Sequence, residues 1–378
     1  MKIMMSAGEA SGDMHAAAVA AEIKREYPDA DIFGMGGDNM RNAGVRIIYD
    51  IGNLGIIGVV EVIRHLSLFF KLRAFLRHAM MEEKPDVVVC VDYPGFNMKI
   101  AHVAKELGIP VVYYIAPTIW AWHKERAKNI VHDVEHVASI FPFEAEAYRE
   151  AGARVTFVGH PLADTVKASM SYEEAMIFFG GDRVKKRILL MPGSRKNEVE
   201  KLLPAMLKAA DILTEKCECQ FFLPRAGTIS SEFIQGFLKN ASPRLDIIVT
   251  AGRIYDLMQI CTACIASSGT ATLETALMGL PTVLVYRLSA ITWFLAKHLV
   301  RVEYAGLPNI LLHKEVTPEL LQDKVTAGNI AEVVLPWLTD EVKRQENIRE
   351  LKSVRAVLGE GGAVRRTAEL ILRTAEGK

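Results

Sequence analysis

Short apolar runs bounded by glycine, proline or acidic residues recur along the chain, and between them the apolar positions fall every three to four residues. The short runs predict strands at 2–5, 31–35, 87–91, 111–115, 137–141 and 155–158, and again at 187–191, 219–223, 246–249, 263–267 and 282–285. The intervening stretches predict helices, among them an alanine-rich one over 15–23 and one carrying Val199, Leu202, Leu203, Met206 and Leu207 on a single face. Strands that alternate with helices make parallel sheets covered on both sides. Val87-Val88-Val89-Cys90-Val91 fits that position, because it offers no polar face to water.

Eleven strands are too many for one compact sheet. The pattern therefore predicts an α/β protein with two doubly wound parallel-sheet, Rossmann-like domains facing across a cleft, one over 1–165 and one over 166–340, joined near Gly159-His160-Pro161 to Gly180-Gly181. The tail, 341–378, is helical and charged and is expected to pack back on the first domain.

The segment 59–81 is ambiguous on a helical wheel. Leu68, Leu72, Phe75 and Leu76 share one arc that suits the core, while Ile63, Leu66 and Phe70 share another beside Arg64, Lys71, Arg73 and Arg77. The second arc suits either a helix buried on both sides or one dipping into an anionic headgroup layer. Lipid contact would then fall to Leu68, Phe69, Phe70 and Arg73, with a weaker echo in Trp293, Phe294 and Leu295 beside Lys297, His298 and Arg301.

Composition narrows the partners. Among 378 residues lysine plus arginine equals aspartate plus glutamate at 45 each, so no global field draws the chain to nucleic acid. Half the residues are apolar and the mean hydropathy is +0.16, yet no apolar run approaches the ~20 residues that span a bilayer. Cys90, Cys217, Cys219, Cys261 and Cys264 form no spaced framework, and no charged and apolar leader precedes the first strand. A reduced, cytoplasmic protein is expected.

The chemistry gathers where strands hand over to helices. Ser267-Ser268-Gly269-Thr270 links a strand to a helix, with Glu274 one turn inside it. The unpaired N–H groups of a helix start attract phosphate, and a carboxylate one turn in can accept hydrogen bonds from a ribose diol. Pro192-Gly193-Ser194-Arg195 repeats the arrangement, with Arg195 placed to grip a diphosphate. The first junction, Gly8-Glu9-Ala10-Ser11-Gly12-Asp13, carries two acids, so it suits a neutral, hydroxyl-rich group such as a sugar. Asp92 directly follows the strand 87–91, at the carboxyl edge where open parallel sheets bind ligands. The aromatics of Tyr113-Tyr114 through Trp120 and Trp122 would neighbour it and stack on a sugar or lie under an acyl chain.

Three patterns suggest metal without supporting it. Asp29 and Asp31 precede their strand and so lie at the wrong sheet edge. His132-Asp133-Val134-Glu135-His136 spans a helix end and a strand start, which turns the two rings apart. Cys261 and Cys264 have no second pair nearby and read as buried thiols.

Ordered blocks along nearly the whole chain complete the picture: SAGEASGD at 6–13, GMGGDNM, GIIGVVEV at 55–62, DYPGFN at 92–97, APTIWAW at 116–122, FPFE at 141–144, FVGHPLAD at 157–164, MPGSRKNE at 191–198, SSGTATLE at 267–274 and LPNILL at 307–312. Together they resemble the lipid-A-disaccharide synthases, inverting glycosyltransferases of the GT-B type. The resemblance implies transfer of the glucosamine of UDP-2,3-diacylglucosamine to the 6-hydroxyl of 2,3-diacylglucosamine 1-phosphate, giving a β-1,6 disaccharide 1-phosphate and UDP. It implies Asp92 as the base, with Glu9 as second choice or as the group orienting the acceptor. UDP would lie on Ser194, Arg195, Ser268, Gly269, Thr270 and Glu274, with Asn309 added on family grounds alone. No metal or other cofactor is expected, since Arg195 and a helix start can neutralise the leaving diphosphate. The family also implies a peripheral position on the cytoplasmic face of the inner membrane and leaves open a homodimer through an exchanged C-terminal segment. Two rivals remain at this point, a UDP-sugar 2-epimerase of the same architecture and a non-catalytic nucleotide-sensing module on membranes.

Overall fold

The computed structural model describes residues 1–54, 66–117, 124–288, 303–359 and 361–377. The readings placed on 55–65, including Ile63 and Arg64, on Trp120 and Trp122, and on 293–301 lie outside the described residues.

The chain forms two compact units, one of residues 1–164 with 360–378, the other of residues 165–359. In the first, seven parallel strands stand in the order β3-β2-β1-β4-β5-β6-β7. They are β1 (Lys2–Ala7), β2 (Asp31–Gly36), β3 (Arg46–Asp50), β4 (Val87–Val91), β5 (Val111–Tyr114), β6 (His136–Ser139) and β7 (Val155–Phe157). In the second, six parallel strands stand in the order β10-β9-β8-β11-β12-β13, namely β8 (Lys186–Met191), β9 (Cys219–Pro224), β10 (Ile247–Thr250), β11 (Ala263–Ser267), β12 (Thr282–Tyr286) and β13 (Glu319–Leu321).

The periodicity missed β3 and β13. Both lie at sheet edges, where a strand is half wetted and short, so its apolar run is broken: RIIYD and ELL. The order of strands reverses between β1 and β4 in one sheet and between β8 and β11 in the other. Those two switch points, at the carboxyl ends of the strands, are where a doubly wound sheet leaves room for a ligand.

The tail divides. Helix Ala363–Ala375 packs on helix Ala10–Glu26 of the first unit, whereas helix Glu341–Leu358 packs on Thr270–Leu277 of the second. The second unit therefore runs to Gly359 instead of ending at 340.

Helix Leu66–Glu83 buries Leu72, Leu76 and Met80 against Val88, Ile100 and their neighbours, and Leu68 and Phe69 lean on the same core. Leu68 and Phe69 are therefore half-buried and largely engaged with the core, which leaves Phe70 as the exposed apolar member of the expected membrane contact. Phe70 is 64% exposed and Phe75, expected in the core, is 44% exposed with its ring against Tyr49; Arg73 is half-buried. No helix among the described residues is long and apolar enough to cross a membrane.

Candidate active site

In the second unit a cavity of about 440 Å³ opens at the carboxyl ends of β8 to β11, around the switch point. Ser194, Arg195, Ser268, Gly269 and Thr270 line it, together with Arg225 and Glu198. Gly269 has φ 148°, a conformation closed to L side chains, and it lets β11 turn into helix Thr270–Leu277 with no side chain capping the helix start. Among the described residues no side chain caps the first N–H groups of that helix, which border the cavity at Thr270 and Ala271.

The other helix start behaves differently. Glu198 folds back so that its Oε2 accepts from the backbone N–H of Ser194 at 3.2 Å and of Arg195 at 3.3 Å, while Oε1 lies 3.4 Å from Nη1 of Arg195. A diphosphate arriving there meets a carboxylate already holding the amides. The pattern S-R-x-x-E contains this signal, because a glutamate three residues after the cap residue is placed to reach back. Arg225 carries a second positive charge to the cavity and is half-buried. It directly follows β9 as Asp92 follows β4, so the same edge rule would have found it.

Glu274 lies one turn inside its helix, half-buried, and its Oε1 accepts from the hydroxyl of Tyr255 at 2.8 Å. Burial raises its pKa, with the Tyr255 hydrogen bond opposing. Asn309 is elsewhere. It is fully buried, its Nδ2 donates to Thr317 O and Glu319 Oε1, and its Oδ1 accepts from the N–H groups of Val316 and Thr317. Both donors and both lone pairs of the amide are spent on the protein, so Asn309 braces a turn and offers nothing to a nucleotide.

In the first unit, the β1/β4 switch point holds Asp92. Asp92 and Tyr93 are both left-handed, each at φ 51°, a conformation costing about 1–2 kcal/mol apiece for ordinary residues. A buried clamp holds them there. Nδ2 of Asn97 donates to the carbonyls of Ser6, Val91 and Asp92, its Oδ1 accepts from the Ser6 hydroxyl at 2.7 Å, and the Tyr113 hydroxyl also donates to Asp92 O at 3.0 Å. Asn97 thus stitches the end of β1 to the end of β4 and presents the Asp92 side chain at the sheet edge. The sequence reading passed over it, although it ends the DYPGFN block.

Gly8 and Gly12 serve this geometry by absence. A Cβ on Gly8 would sit 2.1 Å from the Tyr93 ring, and one on Gly12 would press on Val91 O at 3.3 Å. Glu9 and Ser11 are exposed beside them. Burial, with the negative charge of Glu9 adding a smaller push, raises the Tyr93 hydroxyl above its ordinary pKa. Asp13 turns the other way. It is buried, and its two oxygens accept from the N–H groups of Gly37, Asn39 and Met40 and from the Asn39 amide, so it caps helix Asp38–Asn42 and cannot face a sugar. Tyr113 and Tyr114 are likewise inside the sheet, fully buried, and unavailable for stacking.

His15, on the first helix, was not expected here. Burial lowers its pKa and the charge of Asp92 partly restores it, which leaves a neutral imidazole within the field of the Asp92 carboxylate. The three metal-like patterns behave as surface and core groups: Asp31 pairs with Arg46, His136 Nε2 lies 2.8 Å from the Thr156 hydroxyl, and Cys261 and Cys264 are free thiols whose pKa burial raises.

Comparison with known proteins decides between the readings. A family model described as lipid-A-disaccharide synthetase matches residues 3–372. The chain belongs to that family. It is 41% identical over 98% of its length to a lipid-A-disaccharide synthase of Geobacter metallireducens, of which it covers 96%, and 42% identical over 99% to one of Trichlorobacter lovleyi, of which it covers 98%. It is accordingly an enzyme, a glycosyltransferase of lipid A biosynthesis that forms the lipid A disaccharide.

Solved structures agree in fold. A UDP-GlcNAc 2-epimerase from Neisseria meningitidis bound to UDP-GlcNAc superposes with a TM-score of 0.69 at 14% identity, covering 99% of this chain and 100% of that one. MurG of Acinetobacter baumannii gives 0.63 at 16%, covering 98% and 99%. At such identity they support the two-domain GT-B architecture and nothing finer.

Proposed function

We propose that this enzyme transfers 2,3-diacylglucosamine from UDP-2,3-diacylglucosamine to the 6-hydroxyl of 2,3-diacylglucosamine 1-phosphate, with inversion, and releases UDP. The observation that carries the reading is the cavity at the β8/β11 switch point, where an uncapped helix start and two guanidiniums, Arg195 and Arg225, offer an anionic leaving group its counter-charge. The nucleotide would occupy it through Ser194, Ser268, Gly269 and Thr270, with Glu274 toward the ribose. Asp92 would take the proton of the acceptor hydroxyl as the bond to the anomeric carbon forms, and Glu9 would orient that acceptor. A single displacement of this kind needs a base on one side and charge neutralisation on the other. The protein's own donors supply the second, so no metal is required for transfer.

The test is an assay with both lipid substrates, product mass and UDP release, run with and without chelator. Disaccharide and UDP should form together, only when the acylated acceptor is present, and at equal rates in both buffers. A UDP-sugar 2-epimerase would convert the donor without acceptor, a nucleotide sensor would bind UDP and form nothing, and strict dependence on a divalent ion would defeat the metal-free account.

The proposal includes peripheral attachment to a lipid surface, since both substrates are amphiphiles. Phe70 projects from helix Leu66–Glu83 beside exposed Lys71 and half-buried Arg73, so apolar insertion and attraction to anionic headgroups would act together. Phe70→Glu should reduce cosedimentation with anionic liposomes severalfold, and unchanged binding would end this part of the reading. A homodimer by exchange would place Ala363–Ala375 on the first helix of a second copy; light scattering on the full chain tests it.

A further inference from the structure

The histidines of the 132–136 pattern do not form a zinc pair, yet one of them finds two other donors. His102 lies one turn before the end of helix Pro94–Glu106, and the neighbouring helix Lys124–Asp133 ends in His132 and Asp133. Nδ1 of His102 is 3.0 Å, and Nδ1 of His132 2.6 Å, from the same oxygen of Asp133. All three donor atoms lie within 4.8 Å of one another, with the carboxylate buried and both rings open to solvent.

We propose that His102, His132 and Asp133 bind one divalent transition-metal ion of the zinc class, with water as fourth ligand. In a tetrahedral site with bonds of ~2.0–2.1 Å, neighbouring donors stand about 3.3 Å apart, so the two spacings above need to open by only a fraction of an ångström. The donor set of two imidazoles and one carboxylate is one that zinc favours and that leaves a position for solvent. A supporting carboxylate is also in place. Oε1 of Glu106 lies 3.6 Å from Nε2 of His102, the nitrogen that would not bind the ion, and Arg77 fixes the other oxygen of Glu106 at 2.9 Å. Such a group behind a ligating imidazole selects its tautomer and orients the ring.

The location argues for a structural ion. Both helices reach this point just before β5 and β6 begin, at the amino edge of the sheet, whereas Asp92 follows β4 at the opposite edge, a strand length or roughly 15 Å away. The ion would tie the end of the helix that starts beside Tyr93 to its neighbour without touching the chemistry. It is therefore compatible with metal-free transfer, and it does not rest on the proposed reaction.

The test uses the full chain, treated with chelator, desalted and titrated with cobalt(II), whose visible d–d bands report tetrahedral coordination, followed by displacement with zinc. One cobalt per chain is expected. His102→Ala and Asp133→Asn should each weaken it at least tenfold, and His136→Ala should leave it unchanged. Equimolar zinc should raise the melting temperature of the parent protein by several degrees and leave that of His102→Ala where it was. Because His102 faces solvent, its loss should not unfold the chain. No cobalt uptake by the parent at micromolar concentration would overturn the site, as would equal loss in His136→Ala, or a near-ultraviolet thiolate charge-transfer band assigning the ion to Cys217 and Cys219.

Discussion

The two switch points share one topology and differ in sign. At β8/β11 the protein assembles donors: an uncapped helix start, Arg195 and Arg225 around one cavity. At β1/β4 it assembles acceptors: Asp92 on a left-handed backbone, Glu9 nearby, and a helix start beyond them already occupied by the inward-turned Asp13. On the proposed reading the same strand-turn-helix scaffold would serve as an anion holder in one unit and as a base in the other. A few loop residues choose between them, which is why fold alone does not report chemistry.

The sharpest way to break the comparison is to remove the acceptor. Asp92→Asn keeps the size and the backbone clamp of Asn97 but cannot take a proton, so turnover should fall about a thousandfold, in the range that a general base contributes. UDP affinity, measured by calorimetry, should stay within twofold because the nucleotide is assigned to the other unit. Near-normal turnover would transfer the role of base to Glu9.

The second test compares how the units respond to acid. Burial, with His15 adding a smaller push, drives the pKa of His160 down to about 3 from 6.5, and burial lowers that of His15 as well. Both are in the first unit. A histidine whose folded pKa lies below its unfolded one resists protonation only when folded. Its contribution is therefore complete above pH 6.5 and is lost as pH falls toward the folded value. For His160 the loss is on the order of 5 kcal/mol over the whole window. In the second unit the lowered groups are carboxylates such as Asp256, where burial is outweighed by the Met170 and Ser169 amides and the Ser169 hydroxyl, and they keep their contribution until pH approaches 3.8. Hydrogen exchange between pH 6.5 and 4.5 should thus show the first unit opening before the second, and His160→Gln, which retains an acceptor for the Leu162 N–H, should reduce the gap.

How much of this was legible depended on what each residue does with its polar atoms. Strands buried on both faces announce themselves, as 87–91 and 263–267 do, because nothing polar interrupts them. Residues at a carboxyl strand edge were also readable, as Asp92 and Ser268 show, since topology puts them where ligands bind. The direction in which a side chain turns was not. Asp13 and Asn309 stand in the right blocks, yet each spends its hydrogen bonds, mostly to backbone, on groups from distant or later segments. Glu198 and Asn97 went unread for the converse reason, because their importance lies in a neighbour's backbone. Only the folded chain shows that Asn97 reaches Ser6, 91 residues away, and ties it to Asp92.

A smaller effect isolates the donor side. Gly269→Ala meets open space, so no neighbour is crowded, but its φ of 148° is closed to alanine. The turn must shift and carry the helix N–H groups away from their aim, so UDP should bind about tenfold more weakly, equivalent to about 1.4 kcal/mol. Turnover at saturating donor should change much less. Equal losses in both would mean that this turn shapes the reacting geometry and not merely the nucleotide site.

The smallest effect is the most discriminating, because it concerns a carboxylate that lines the anion cavity itself. Glu198 lies where the comparison says an acid should not be, accepting from the amides of Ser194 and Arg195 at the edge of the anion cavity. Glu198→Gln retains an acceptor for those amides and removes the charge that a diphosphate would face. If the second switch point works by positive potential, UDP should bind two- to fivefold more tightly to the variant, with the difference shrinking as salt is raised. The melting temperature should fall slightly, since a charged cap is better than a neutral one at a helix start. Weaker UDP binding instead would mean that Glu198 holds the loop in its binding shape and that the diphosphate rests on the Gly269 turn alone.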